Sequence, residues 1–206
     1  MCPGYNKQML ISNNDITALH KKYAPSDIVF DLVFTHCCIV RDIALQLIDA
    51  NNLKVDRELV ETGAMLHDIG VYRLFEASGH MRDGVHYITH GTEGERILKS
   101  ESLPEVIWRF AAHHTGVGLT KADITAQKLP LPIADYLAET DEELLIMYAD
   151  KFHSKTTPPY FNSYEWYETD IARFGDDKVA KFKEMAVKFG KPDLVPLSEA
   201  YSFDIR

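Results

Sequence analysis

The sequence predicts an all-α fold, on three observations. From Asp27 to about Ala50 the apolar residues Phe30, Val33, Phe34, Cys37, Val40, Ala44, Leu47 and Ile48 recur at steps of three and four, the period of one helix face. No segment alternates apolar and polar residues over several positions, as a half-buried strand would. Most periodic stretches open on Ser, Thr or an acid and close on Asn, Gly or Pro, the start and stop signals of helices.

Taken in order, Met1 to Leu10 shows no clear period, and Ser12 or Asn13 can cap a short helix reaching about Tyr23. Pro25 ends that helix, and Ser26 caps the long amphipathic one, which stops at Asn51-Asn52. A third helix is expected from about Arg57 to His67. The connection from Gly70 to Thr89 is long, and a loop of that length in a compact domain is usually functional; short helical turns and one wall of a site are expected there. Helices follow from His90 to about Lys99 and, with Pro104 as a first-turn proline, on to His114, where Gly116 and Gly118 break the pattern. Thr120 to Gln127 reads as a short helix, Pro130 and Pro132 as a rigid connector, and Thr140 to Glu143 as an acidic helix start leading into Leu144 to Phe152. Thr156 to Pro159 marks a boundary. Beyond it come an aromatic segment from Tyr160 to Tyr167, a helix from about Asp176 to Phe189 and an irregular tail. This divides the chain into a helical domain, residues 1–155 with a core of about 26–153, and a helical appendage, residues 156–206, packed on that core.

Composition removes several classes of function. A chain of 206 residues suits one large domain, or one domain with an appendage, and needs no disulfide support. Its three cysteines, Cys2, Cys37 and Cys38, form a sparse and odd set, which reads as reduced thiols in a cytoplasmic protein. The opening residues carry no secretory pattern. The apolar run Ile28 to Phe34 is interrupted by Asp31 and falls far short of a membrane span, so no membrane partner is expected. The formal charge of −9 argues against a non-specific nucleic-acid binder. It leaves room for an anionic small molecule, because divalent cations reverse the local sign of an acidic pocket.

What remains is a set of residues with the chemistry of a metal cage: His36, the doublet His67-Asp68, His90, the pair His113-His114, and Asp150. The doublet closes the apolar run Ala64, Met65 and Leu66 and precedes Ile69-Gly70, which sets two donor side chains beside a backbone break. Imidazole and carboxylate without thiolate suit Zn, Mn or Fe in a reactive site rather than a structural zinc. His36 and Asp150 are single polar residues in apolar surroundings, where an unpartnered carboxylate is costly to bury and a cation is the natural partner.

In that order (H, then HD, then H-G, then HH, then D) the chain resembles the HD-domain superfamily of metal-dependent phosphohydrolases, and His67-Asp68-Ile69-Gly70 resembles its HDIG branch. The resemblance spans about Val29 to His153. It includes His90-Gly91 with Gly94 and Ile97-Leu98, Asp150 within Tyr148 to Lys151, and the stretch His114 to Thr120. It implies an HD-like helical bundle holding one or two divalent ions (Mn, Fe, Zn, Co, Ni or Mg). His36, His67, Asp68 and Asp150 would hold the first ion. The second would share Asp68 and take His90 and His114, which is favoured over His113 because it begins the better-matching string.

The implied activity is hydrolysis of a phosphoester, of a nucleotide or another small phosphorylated metabolite, with Asp68 central to catalysis. His113 or His86 would protonate the leaving oxygen. Many members carry a lysine after the HD-x-G string, where it meets phosphate; here the residue is Val71, and Arg73 and Lys151 are the nearest cations to replace it. His86 is expected to face the pocket, while His80, His20 and His153 read as loop, structural or surface residues. The same ligands leave two alternatives open: a di-iron oxygenase on the same fold, and a nucleotide-binding regulatory module without turnover.

Overall fold

In the computed structural model, which describes residues 11–206, the first helices begin where side-chain caps are available. The earlier reading of Met1 to Leu10 lies outside the described residues. Ser12 accepts from the Asp15 backbone at the start of α1 (Asn13–Tyr23), and Ser26 does the same for Val29 at the start of α2 (Asp27–Asn51). Asn52, left-handed at φ 49°, closes α2. Asp56 caps α3 (Arg57–Leu66) by accepting from the Glu58 and Leu59 amides at 3.1 and 3.2 Å. Then come α4 (His90–Ser100), α5 (Glu105–His113), α6 (Lys121–Gln127) and α7 (Asp141–Ala149). Pro104 sits one position before α5, with extended backbone at ψ 163°, and not inside its first turn.

The core follows from the apolar stripes. α2 buries Val29, Val33, Cys37, Val40, Ile43, Ala44 and Leu47 against α3 and α7. Each such aliphatic side chain contributes about 1.5–3 kcal/mol on full burial. α7 is different: Leu145, Ile146, Met147, Tyr148 and Ala149 are consecutive and all buried, so this helix has no solvent face over its second half. It therefore runs through the middle of the bundle and delivers the residue after it, Asp150, to the interior. A buried two-pronged ion pair, Arg109 to Glu143 at 2.7 and 3.1 Å, ties α5 to α7.

The connection between α3 and α4 contains two short 3-10 turns, Ile69–Arg73 and Tyr87–Thr89. Gly70 lies so close to α4 that a Cβ there would stand 2.0 Å from the His90 carbonyl oxygen and 2.3 Å from the Gly94 nitrogen. Only glycine lets the chain turn against α4 in this way.

The C-terminal part departs from the sequence reading in two places. The aromatic segment contains a helix, α8 (Tyr164–Ile171), capped by Ser163, and the tail contains α10 (Val195–Tyr201) after the expected α9 (Asp176–Phe189). α8 mixes acids and aromatics without a clear stripe, and α10 is only seven residues long, so periodicity could flag neither. Before α8, a short antiparallel hairpin pairs β1 (His153–Ser154) with β2 (Tyr160–Phe161). Phe161, Ile171, Phe182, Met185 and Phe189 belong to the same buried cluster as the apolar faces of α2 and α7. Among the described residues, no helix is long and apolar enough to cross a membrane.

Candidate metal centre

Helix ends build the site. His36 projects from mid-α2, His67 closes α3 with Asp68 immediately after it, His90 opens α4, His114 follows α5 and Asp150 follows α7. His36, His67, Asp68, His90 and His114 are all buried.

The hydrogen bonds fix the imidazole tautomers. Nδ1 of His67 bonds the Ala64 carbonyl at 2.7 Å, Nδ1 of His90 the Tyr87 carbonyl at 2.7 Å, and Nδ1 of His114 the Ala111 carbonyl at 2.9 Å. A carbonyl only accepts, so each Nδ1 carries the proton and each neutral ring presents a bare Nε2. Burial lowers His90 to about 3 and also lowers His114, so both rings are neutral. Their Nε2 atoms nevertheless stand 2.9 Å apart. Two lone pairs at that distance repel unless a cation lies in reach of both.

His36 and His67 repeat the arrangement, with Nε2 atoms 3.2 Å apart. Burial lowers His36 to about 4. Burial opposes protonation of His67 as well, but Asp68, Cys37 and Asp150 together outweigh it and raise His67 well above its ordinary value. A proton and a metal ion therefore compete for this nitrogen.

The carboxylates complete the pattern. Asp68 Oδ1 lies 3.4 Å from His114 Nε2 and 3.6 Å from His90 Nε2, while Oδ2 lies 3.3 Å from His36 Nε2. One oxygen faces each histidine pair. Both are buried; Oδ2 is met by a buried lysine, Lys155, while Oδ1 has no hydrogen bond of ordinary geometry, a costly state for an ionised carboxylate. Asp150 Oδ1 lies 2.9 Å from His36 Nε2 and 3.5 Å from His67 Nε2. Among the described residues, donor atoms of His36, His67 and Asp150, and of His67, Asp68 and His114, each gather within 4.8 Å. An orphaned carboxylate oxygen, Asp68 Oδ1, and opposed imidazole lone pairs are what a divalent cation satisfies, so the donor set fits one.

The HD domain family matches residues 33–155, which contain all six of these side chains. The chain belongs to the HD-domain family. It is 37% identical over 124 residues to a tRNA (cytidine(56)-2'-O)-methyltransferase of Picrophilus torridus, covering 60% of this chain and 32% of that protein. It is also 37% identical over 121 residues to an uncharacterised protein of Methanocaldococcus jannaschii, covering 57% of this chain and 64% of that one. The chain thus spans about a third of the methyltransferase and just under two thirds of the second relative. In fold it is similar to the HD domain of the Listeria monocytogenes phosphodiesterase PgpH, with a TM-score of 0.51 at 15% identity over 92% of this chain and all of that one. The same domain in complex with cyclic-di-AMP gives 0.50 at 16% identity, over 86% of this chain and 97% of that one.

Around this HD centre, the structure separates residues that the sequence grouped. His113 turns away: its Nδ1 bonds the Leu137 carbonyl at 2.8 Å and its ring meets Tyr136 edge-on. Successive helical residues point about 100° apart, so only one of the His113-His114 pair can face the cluster. Arg73 also lies outside it, exposed on the far side of its 3-10 turn with its guanidinium over the Tyr23 ring. His86 is exposed, and the next residue, Tyr87, lines the site in its place. His80 is exposed beside Ser78. Lys151 does lie at the centre, bonding the His114 carbonyl at 3.1 Å and Asp150 Oδ2 at 2.6 Å.

Two residues at the centre escaped sequence reasoning. Lys155 places its ammonium directly against Asp68 Oδ2 and beside Tyr87. Burial would lower its pKa, but Asp68, with Tyr87 and Asp150, outweighs that and keeps the amine charged. The only signal was a lysine five positions after Asp150, and its path into the site depends on the hairpin bend. His153 bonds His36, Nδ1 to Nδ1 at 2.8 Å, and so orients that ring from behind. Burial lowers His153 to about 2, and its Nε2 is buried without a partner.

Proposed function

We propose that this chain is a metal-dependent phosphohydrolase that cleaves a phosphoester of a small metabolite, a nucleotide among the candidates. The observation that carries the reading is the bare Nε2 pair of His90 and His114 facing one oxygen of Asp68, with His36 and His67 facing the other and Asp150 beside those two rings. In this reading His36, His67, Asp68 and Asp150 hold one cation, and Asp68, His90 and His114 hold a second. Cations bound there neutralise phosphoryl charge and make water at the site more acidic.

The chain's own residues do the rest. Lys151 fixes Asp150 through its ammonium and the end of α5 through the His114 carbonyl, so one side chain positions donors from two helices. His153 holds the His36 ring in its orientation. Lys155 is the cation for a phosphoryl oxygen, the role left open by Val71, which is buried in the cavity wall. A charged, desolvated ammonium at a transferring phosphoryl group is a common form of electrostatic stabilisation. The regulatory-module alternative rested on Val71, which Lys155 answers; the di-iron oxygenase alternative rested mainly on the histidine-rich ligand set, and the O₂ arm of the test separates it.

The test is hydrolysis of a panel of phosphomonoesters and phosphodiesters, read as inorganic phosphate from the former and as the alcohol and phosphomonoester products from the latter, by protein loaded in turn with Mn, Co, Fe, Ni, Mg and Zn. The reading expects hydrolysis with at least one metal, and a loss of about 10²-fold or more in Asp68→Ala. A fully metal-loaded protein that hydrolyses no ester, or turns over only when O₂ is supplied, overturns it.

A further inference from the structure

Beside the metal centre lies a cavity of about 630 Å³, far more than one phosphoryl group needs. Its inner end is walled by Asp150, Lys151 and Lys155, and its outer end by the C-terminal segment, through Tyr160, Trp166 and Arg206. Four cations line this space, and three are matched to carboxylates. Lys155 meets Asp68, Lys151 meets Asp150 at 2.6 Å, and Arg173 meets Asp170 at 2.9 Å. The fourth, Arg206, pairs with no carboxylate among the described residues.

Arg206 is instead held rigidly by neutral groups. Its guanidinium lies 3.5 Å from the ring centroid of Tyr160 and 3.5 Å from that of Trp166. Its Nε donates to Asn162 Oδ1 at 2.9 Å. Asn162 is buried, and its own amide donates to the Lys151 carbonyl at 2.8 Å, which ties the arrangement to the residue next to Asp150. Its backbone is fixed as well, since the Arg206 amide donates to the Phe161 carbonyl at 3.0 Å. A guanidinium stacked between aromatic rings and bonded through Nε keeps its terminal N–H groups for a planar or tetrahedral anion. In a chain of net charge −9, an arginine without an acidic partner at a cavity wall marks where an anion is wanted.

We propose that the cavity selects substrates with two anionic ends: a phosphoester bound at Lys155 and the metal centre, and a second phosphate or carboxylate bound by Arg206. The inference rests on the phosphohydrolase reading for the first end only, and its test does not need turnover. Trp166 touches the guanidinium, and only one other tryptophan, Trp108, is present, so Trp108→Phe protein reports binding through Trp166 fluorescence.

The probes are non-hydrolysable alkyl bisphosphonates of increasing linker length, the matching phosphonocarboxylates, and alkyl monophosphonates, titrated into metal-loaded protein. At the best linker length, a doubly anionic probe is expected to bind about tenfold or more tighter than its monophosphonate, as one charge-assisted contact supplies. Comparing bisphosphonate with phosphonocarboxylate tells phosphate from carboxylate as the second group. Arg206→Met should remove most of the preference, and Arg206→Lys should keep part of it. Equal binding of single and double anions at every linker length, or a preference that survives Arg206→Met, overturns the proposal. Absence of hydrolysis of any ester, with the binding preference intact, would count against the hydrolase reading alone.

Discussion

Asp68 is the residue on which the two histidine pairs converge, one oxygen toward each. Replacing it with Ala is expected to remove bound metal and hydrolysis together, read by elemental analysis and phosphate release. An Asp68→Ala protein with full metal content would contradict that. Lys155 separates from it experimentally. Lys155→Met is expected to keep the metal while lowering kcat/KM for a phosphoester by about 10²-fold, the usual cost of one electrostatic donor at a transition state. The expectation fails if kcat/KM is unchanged. The sequence pointed to His36, His67, Asp68 and Asp150 because imidazole and carboxylate stand out beside apolar runs, and to His90 through the family resemblance. It could not rank His114 over His113 without the family pattern, and it could not show Lys155, whose approach depends on the turn between β1 and β2. Arg73 looked equivalent to Lys151 as a cation to replace the missing lysine, yet the 3-10 turn after Asp68 sends it outward.

At the scale of elements, the centre depends on how closely the turn after His67-Asp68 packs on α4. Gly70→Ala would drive a methyl into the His90 carbonyl, where 2.0 Å separates the atoms, and backbone cannot yield as a side chain can. A loss of about 2–3 kcal/mol in stability is expected, with His90 displaced from His114 and weaker binding of a second metal ion. Denaturant melts and metal titration of the variant check both parts. A variant as stable as the parent, with two equivalent sites, would contradict the packing account. The helices from α1 to α7 were legible because caps such as Ser12, Ser26 and Asp56 and the stripe of α2 agree with one another. α8 and α10 were not: α8 has no clear stripe and packs through Tyr164 on Phe182, and α10 is too short for a period to show.

Over the whole molecule, buried neutral histidines make stability depend on pH. His20 lies behind the metal centre, with Nδ1 2.7 Å from the Tyr72 hydroxyl and Nε2 2.6 Å from the Met65 carbonyl. Burial lowers it from 6.5 to about 4. Above pH 6.5 the ring is neutral in folded and unfolded chains alike and contributes no pH dependence. Between pH 6.5 and 4 the unfolded chain takes up a proton that the folded chain refuses, so stability falls as the pH falls. The slope from this residue is about 1.4 kcal/mol per pH unit, or about 3 kcal/mol across the window. His20→Gln should flatten the acid limb of metal-free protein by about one proton between pH 6.5 and 4, measured by urea unfolding. Parallel limbs for variant and parent would show that His20 is not held neutral.

The account rests on nitrogen lone pairs that face each other because a cation belongs between them. Equilibrium dialysis of chelator-stripped protein against Co(II), followed by elemental analysis and absorption spectroscopy, tests this most directly. The account predicts one to two cobalt ions per chain, with visible bands of nitrogen and oxygen ligation that are lost or sharply reduced in His67→Ala. A parent protein that retains no more cobalt than His67→Ala, and shows no such bands, would contradict it.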